Sequence, residues 1–177
     1  LVVSGGVLRS QTLSRSGDFS KNVTPGDLSF VQISDSHIGF SKEANKDVLS
    51  TLKVAIDKIN ALPAPPAFVL HTGDLSHLSK PEEFDALDQL LKSAKTDRIF
   101  YVPGEHDVLT DNGAIYLERY GKGTKGAGWQ SFDVRGVHFI GLVNVLNLKA
   151  GGLGNLGREQ LEWLEDDVKD LSSSTPI

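Results

Sequence analysis

The sequence predicts a single layered α/β domain, and three observations carry that reading. Short β-rich runs alternate with amphipathic helical stretches after Gly26, the 177 residues suit one compact core, and polar clusters of Asp, His and Gly follow three successive strands. Residues 28–34 read as a buried first strand. Residues 45–62 follow as a helix, with Val48, Leu52, Ala55, Ile56, Ile59 and Leu62 on one face, stopped by Pro63 to Pro66. Residues 67–72 form the second strand. Ser79-Lys80-Pro81-Glu82 has capping-box spacing and opens a second helix whose Phe84, Leu87 and Leu91 face the core. Residues 98–102 are the third strand. A weaker helical pattern over 111–120 and a glycine-rich loop over 121–128 come next. Residues 129–134 and 137–143 read as an antiparallel hairpin turned at Arg135-Gly136, and residues 158–171 as a last helix with Leu161, Leu164, Val168 and Leu171 in register.

Composition excludes several classes. With 39% hydrophobic and 23% charged residues the chain is neither fibrous nor wholly disordered. The absence of Cys removes disulfides, thiolate zinc sites and cysteine nucleophiles. A net charge of -5 offers no basic footprint for nucleic acid or an anionic membrane.

The chain begins at Leu1, contains no Met and stops at Ile177, so a processed or partial chain is expected. Residues 1–26 read as a lead-in. The apolar Leu1 to Leu8 fits the remnant of a signal peptide, favouring an exported, periplasmic protein over a cytoplasmic one, with an ordinary first strand as the alternative. Eight residues cannot span a bilayer, so no stable membrane insertion is expected. Asn22-Val23-Thr24 matches a glycosylation triplet of the kind that also arises by chance.

The chemistry is expected just past the strand ends, where open α/β sheets place their ligand sites. Strand one runs into Asp35-Ser36-His37, strand two into Gly73-Asp74, and strand three into Gly104-Glu105-His106-Asp107. Carboxylate oxygen and imidazole nitrogen suit hard or borderline cations, and the glycines let the backbone turn sharply. Asp35 and His37 converge on one cation if the strand has ended before them. Asp74, with two oxygens, can bridge two cations about 3.5 to 4 Å apart, which would clamp a phosphate and generate a hydroxide between them for in-line attack. His106, flanked by acids that would hold imidazolium, is suited to protonate a leaving oxygen. Each acid alone also reads as a turn or helix cap. His71 reads as a strand histidine, His77 as a loop histidine with a supporting or substrate role, Asp107 as an orienting acid or cap, and His138 as structural.

Asp35-x-His37, Gly73-Asp74 and Gly104-x-His106-Asp107 resemble the first three motifs of the calcineurin-like metallophosphoesterase superfamily. The Gln160-Leu161-x-Trp163-Leu164 stretch resembles the helix before the fourth motif in its cyclic-nucleotide phosphodiesterase-like and exported bacterial members. The resemblance covers residues 28–177. It implies an α/β/β/α sandwich, lacking its C-terminal part here, with two divalent or trivalent metal ions (Mn, Fe or Zn). It also implies Asp35 and His37 on the first metal, Asp74 bridging, Glu105 on the second, His106 as general acid, and a small phosphorylated substrate. Two departures stand out. Glu105 replaces the family's Asn, and its added negative charge favours a phosphodiester monoanion over a monoester dianion. The family's downstream histidine ligands are absent, since only His138 follows His106.

Two rival readings are set against metal-dependent phosphoester hydrolysis. One is a dinucleotide-binding module, from Gly152-x-Gly154-x-x-Gly157 before a helix, although Gly121-x-Gly123-x-x-Gly126 matches the same pattern inside a loop. The other is a non-catalytic metal-binding or interaction domain that keeps the fold, consistent with Glu105 and the missing histidines.

Overall fold

The computed structural model describes residues 2–4, 7–9, 28–96 and 98–177. In the lead-in, β1 (Val2–Ser4) pairs antiparallel with β2 (Val7–Arg9) and with β3 (Leu28–Ser29). Of Leu1 to Leu8, read as a signal remnant, residues 2–4 and 7–8 are described, and Asn22-Val23-Thr24 lies outside the described residues.

The predicted first strand is two strands. At Phe30 the chain changes partner: β3 lies against β1, whereas β4 (Val31–Ile33) lies parallel to β5 (Val69–His71). β5 in turn pairs parallel with β6 (Ile99–Tyr101), giving the sheet order β4-β5-β6. Such parallel pairing needs a helical crossover. α1 (Val48–Asn60) and α2 (Pro81–Leu91) supply the two crossovers. α1 starts at Val48 because the Asp47 side chain accepts from the Ser50 N–H and caps the helix. Its Leu52, Ile56 and Ile59 are buried as the periodicity predicts.

α2 starts at Pro81, and its capping acid is Glu83 rather than Glu82. Ser79 cannot serve as the cap because it sits at φ 49° with its hydroxyl paired to Thr110. α3 (Ala114–Tyr120) also begins later than the pattern predicts, because Asn112 and Gly113 adopt positive φ and Asp111 accepts from the Gly113 and Ile115 N–H groups.

The two faces of the parallel sheet bury different layers. Ile33, Ile99 and Tyr101 face α1 and α2 in a core with Ile56, Phe84 and Leu87. Leu70 and Phe100 face the hairpin of β7 (Gln130–Val134) and β8 (Val137–Gly141), which turns at Arg135-Gly136 as expected. Fully buried Phe68 binds these layers together: its ring lies 4.9 to 5.5 Å from Phe30, Phe100, Phe132 and Phe139.

α4 (Arg158–Val168) covers the far side of the hairpin, completing the α/β/β/α order. Of the predicted stripe, Leu161 is 50% exposed, whereas Leu164, Val168 and Leu171 are half-buried, the last of them past the helix end. Buried Gln160 also docks the helix, accepting from the Val143 N–H and donating to the Val143 carbonyl, while Trp163 packs on the Trp129–Val143 cluster and Asp167 meets β8. Among the described residues no helix is long and apolar enough to cross a membrane.

Candidate metal centre

The three polar clusters meet at the C-terminal edge of β4-β5-β6. Asp35, His37 and Asp74 all have positive φ, 58°, 42° and 52°. Non-glycine residues pay conformational free energy there, and such strain gathers at functional sites. The main chain fixes it: the Asp35 N–H donates to the Gly73 carbonyl and the His37 N–H to the Asp74 carbonyl. One donor atom each from Asp35, His37 and Asp74 lies within 4.8 Å of the others, and so does one each from His37, His77 and His106. Nε2 of His37 is 3.5 Å from Oδ2 of Asp74 and 3.8 Å from Oδ1 of Asp35.

The glycines make this convergence possible. A Cβ on Gly73, at φ 106°, would stand 2.8 Å from the Gly104 nitrogen. Asp74 is fixed from the third loop, its Oδ1 accepting from the His106 N–H at 3.0 Å while Oδ2 is turned toward His37.

Asp107 is fully buried. It accepts from the Leu75, Ser76 and Gly104 N–H groups and from the Ser76 hydroxyl, tying the second loop to the third. Burial pushes its carboxyl up and these donors pull it back, leaving it above the ordinary value.

His71 is buried on β5 with Nε2 2.8 Å from the Ser36 hydroxyl, steadying the Asp35-Ser36-His37 turn. Burial pulls its pKa down to about 4, so the ring is neutral at physiological pH. His138 stands apart from the site, between Asp133 and Asp167, a structural residue as expected.

His106 points Nδ1 at the His77 carbonyl, 2.6 Å away. A carbonyl only accepts, so Nδ1 carries the proton and Nε2 is left for chemistry. The His106 ring lies 4.6 Å from that of His37 and stacks at 4.8 Å on that of His77. Glu105 stands outside both donor groups. It opens a 3-10 turn, and its carboxylate accepts from the Gly151 N–H at 3.2 Å.

Two residues here have no motif to announce them. Glu83, 6% exposed, accepts from the His77, Leu78 and Lys80 N–H groups and holds the loop that carries His77. Ser76 bridges to Asp107. The capping-box spacing is the only signal that touches Glu83, and it is off by one residue.

The family model for calcineurin-like phosphoesterases matches residues 28–177, which include all three loops. The chain belongs to that family. Its fold is similar to that of the purple acid phosphatase PPD1 from yellow lupin (Lupinus luteus) seeds, with TM-score 0.59 and 18% identity. That match covers 82% of this chain and 28% of the lupin chain, so the protein spans well under a third of that enzyme's length. No curated protein matches the sequence. As a calcineurin-like phosphoesterase, the chain carries its Asp, His and Gly loops at one sheet edge, and the dinucleotide reading loses its basis. Gly152, Gly154 and Gly157 follow a 3-10 turn at residues 146–148 rather than a strand.

The donor set fits a cation. Two carboxylates and an imidazole from two loops, with their atoms within 4.8 Å, match the oxygen and nitrogen preference of Mn, Fe and Zn.

Proposed function

We propose that this protein hydrolyses a phosphate ester, with Asp35, His37 and Asp74 holding a divalent cation and His106 serving as general acid. The observation that carries the proposal is the convergence of those donors at one strained sheet edge, with the His106 ring 4.6 Å from that of His37. A cation bound there supplies Lewis-acid charge to a phosphoryl oxygen and makes water acidic enough to attack near neutral pH. Asp35 and Asp74 place negative charge where the cation sits, and the His106 N–H holds Asp74 in position. Protonated at both nitrogens, His106 donates from Nε2 to the departing oxygen while Nδ1–H stays on the His77 carbonyl. To ligate a second cation beside Asp74, Glu105 would leave the Gly151 N–H and turn inward.

The substrate class follows from the charge. The acids Asp35 and Asp74 repel a dianion more than a monoanion, which favours a small phosphodiester. The general-acid role is tested by His106→Ala. The variant should keep its cation and lose about 10²- to 10⁴-fold with poor leaving groups, but far less with an activated aryl ester. Equal slowing of both esters would remove His106 from that role.

A second reading, a metal-binding domain without catalysis, draws on the Glu105–Gly151 contact, which turns a proposed ligand away from the centre. It predicts cation uptake with no turnover of either ester.

A further inference from the structure

His77 belongs to none of the three motifs, yet it touches both of the histidines that matter. Its carbonyl accepts from Nδ1 of His106 at 2.6 Å, and its ring nitrogen Nδ1 lies 3.4 Å from Nδ1 of His37. The residue is held for this from several sides. Its N–H donates to the Ile38 carbonyl and to buried Glu83, and its ring meets the Phe40 ring edge-on at 5.1 Å.

His37 therefore presents two different edges. Nε2 faces the carboxylates of Asp35 and Asp74, and Nδ1 faces His77. An imidazole can bind a cation through Nε2 only if that nitrogen is bare, which leaves the single proton of the neutral ring on Nδ1. That proton needs an acceptor, and a histidine that binds metal usually gives its other N–H to a carboxylate, a carbonyl or water. Here the group within reach is the Nδ1 lone pair of His77.

We propose that His77 is a positioning residue that sets the tautomers of both site histidines: its ring accepts the Nδ1–H of cation-bound His37, and its carbonyl fixes Nδ1–H on His106. The inference rests on the proposed cation site. Three imidazoles this close could instead ligate a cation together, and the test separates that case.

The experiment is zinc titration of the metal-free protein, with nitrogen-15 NMR of the histidine rings in the zinc-loaded state, for wild type, His77→Phe and His77→Asn. His77→Phe keeps the ring bulk and the carbonyl but has no ring acceptor. His77→Asn can return an oxygen acceptor to the place of Nδ1. The expected result is His37 as the Nδ1–H tautomer in wild type, about 10- to 100-fold weaker zinc binding in His77→Phe, recovery in His77→Asn, and unchanged Nδ1–H on His106 throughout. Unchanged affinity and His37 tautomer in His77→Phe would overturn the proposal. So would loss of a whole equivalent of zinc in both variants, which would make His77 a direct ligand. Failure of wild type to take up zinc would sink the cation site itself, a result distinct from either.

Discussion

Gly104 lies so close to Asp74 that a Cβ on Gly104 would collide with both Oδ1 and the main-chain nitrogen of Asp74. The third loop thus reaches the second only through a hydrogen atom, and the same approach brings the His106 N–H to the Asp74 carboxylate. Gly104→Ala should push Asp74 away from His37. We expect a stability loss of about 1–3 kcal/mol by overpacking, read from the urea midpoint, together with weakened divalent cation binding in a titration of the folded variant. Wild-type cation affinity in Gly104→Ala would show that this contact does not place Asp74.

A second prediction concerns how the last helix is held. His138, on β8, has Nδ1 3.0 Å from Oδ1 of Asp133 and Nε2 2.9 Å from Oδ2 of Asp167 on α4, and Asp167 also accepts from the Ser131 hydroxyl. Burial pulls the His138 pKa down, but Asp167 and Asp133 pull it up more strongly, and the net direction is upward. A raised folded-state value means that the charged ring stabilises the fold fully below the unfolded-state value of about 6.5, and that this contribution fades as pH rises through the folded-state value. The urea midpoint of wild type should therefore fall relative to that of His138→Gln as pH rises above about 6.5. A difference that stays constant over that range would mean that His138 is not charged in the fold.

Much of this architecture is legible in the sequence because its signals are local. The helix periodicity of Val48, Leu52, Ile56 and Ile59, the Arg135-Gly136 turn, and the three Asp, His and Gly clusters each depend on a few neighbouring residues. The errors come where distant groups decide. The first strand breaks at Phe30 because the chain exchanges β1 for β5 as partner. Gln160 on α4 satisfies the Val143 N–H, and no periodicity registers a main-chain group seventeen residues away. In the site, the motif spacing brings together Asp35, His37, Asp74 and His106. It says nothing about where the Glu105 side chain turns, nor that Glu83 fixes the His77 loop, since both depend on contacts between loops.

The central claim is that Asp74 helps to hold a cation, and metal content per chain by elemental analysis after exhaustive dialysis, for wild type and Asp74→Asn, tests it most directly. An asparagine keeps an oxygen for the His106 N–H, so the loop retains its anchor while the charge facing His37 is lost. We predict roughly one to two retained divalent cations per wild-type chain and loss of most of that metal in the variant. A metal-free wild type, or equal metal in both proteins, would contradict the account.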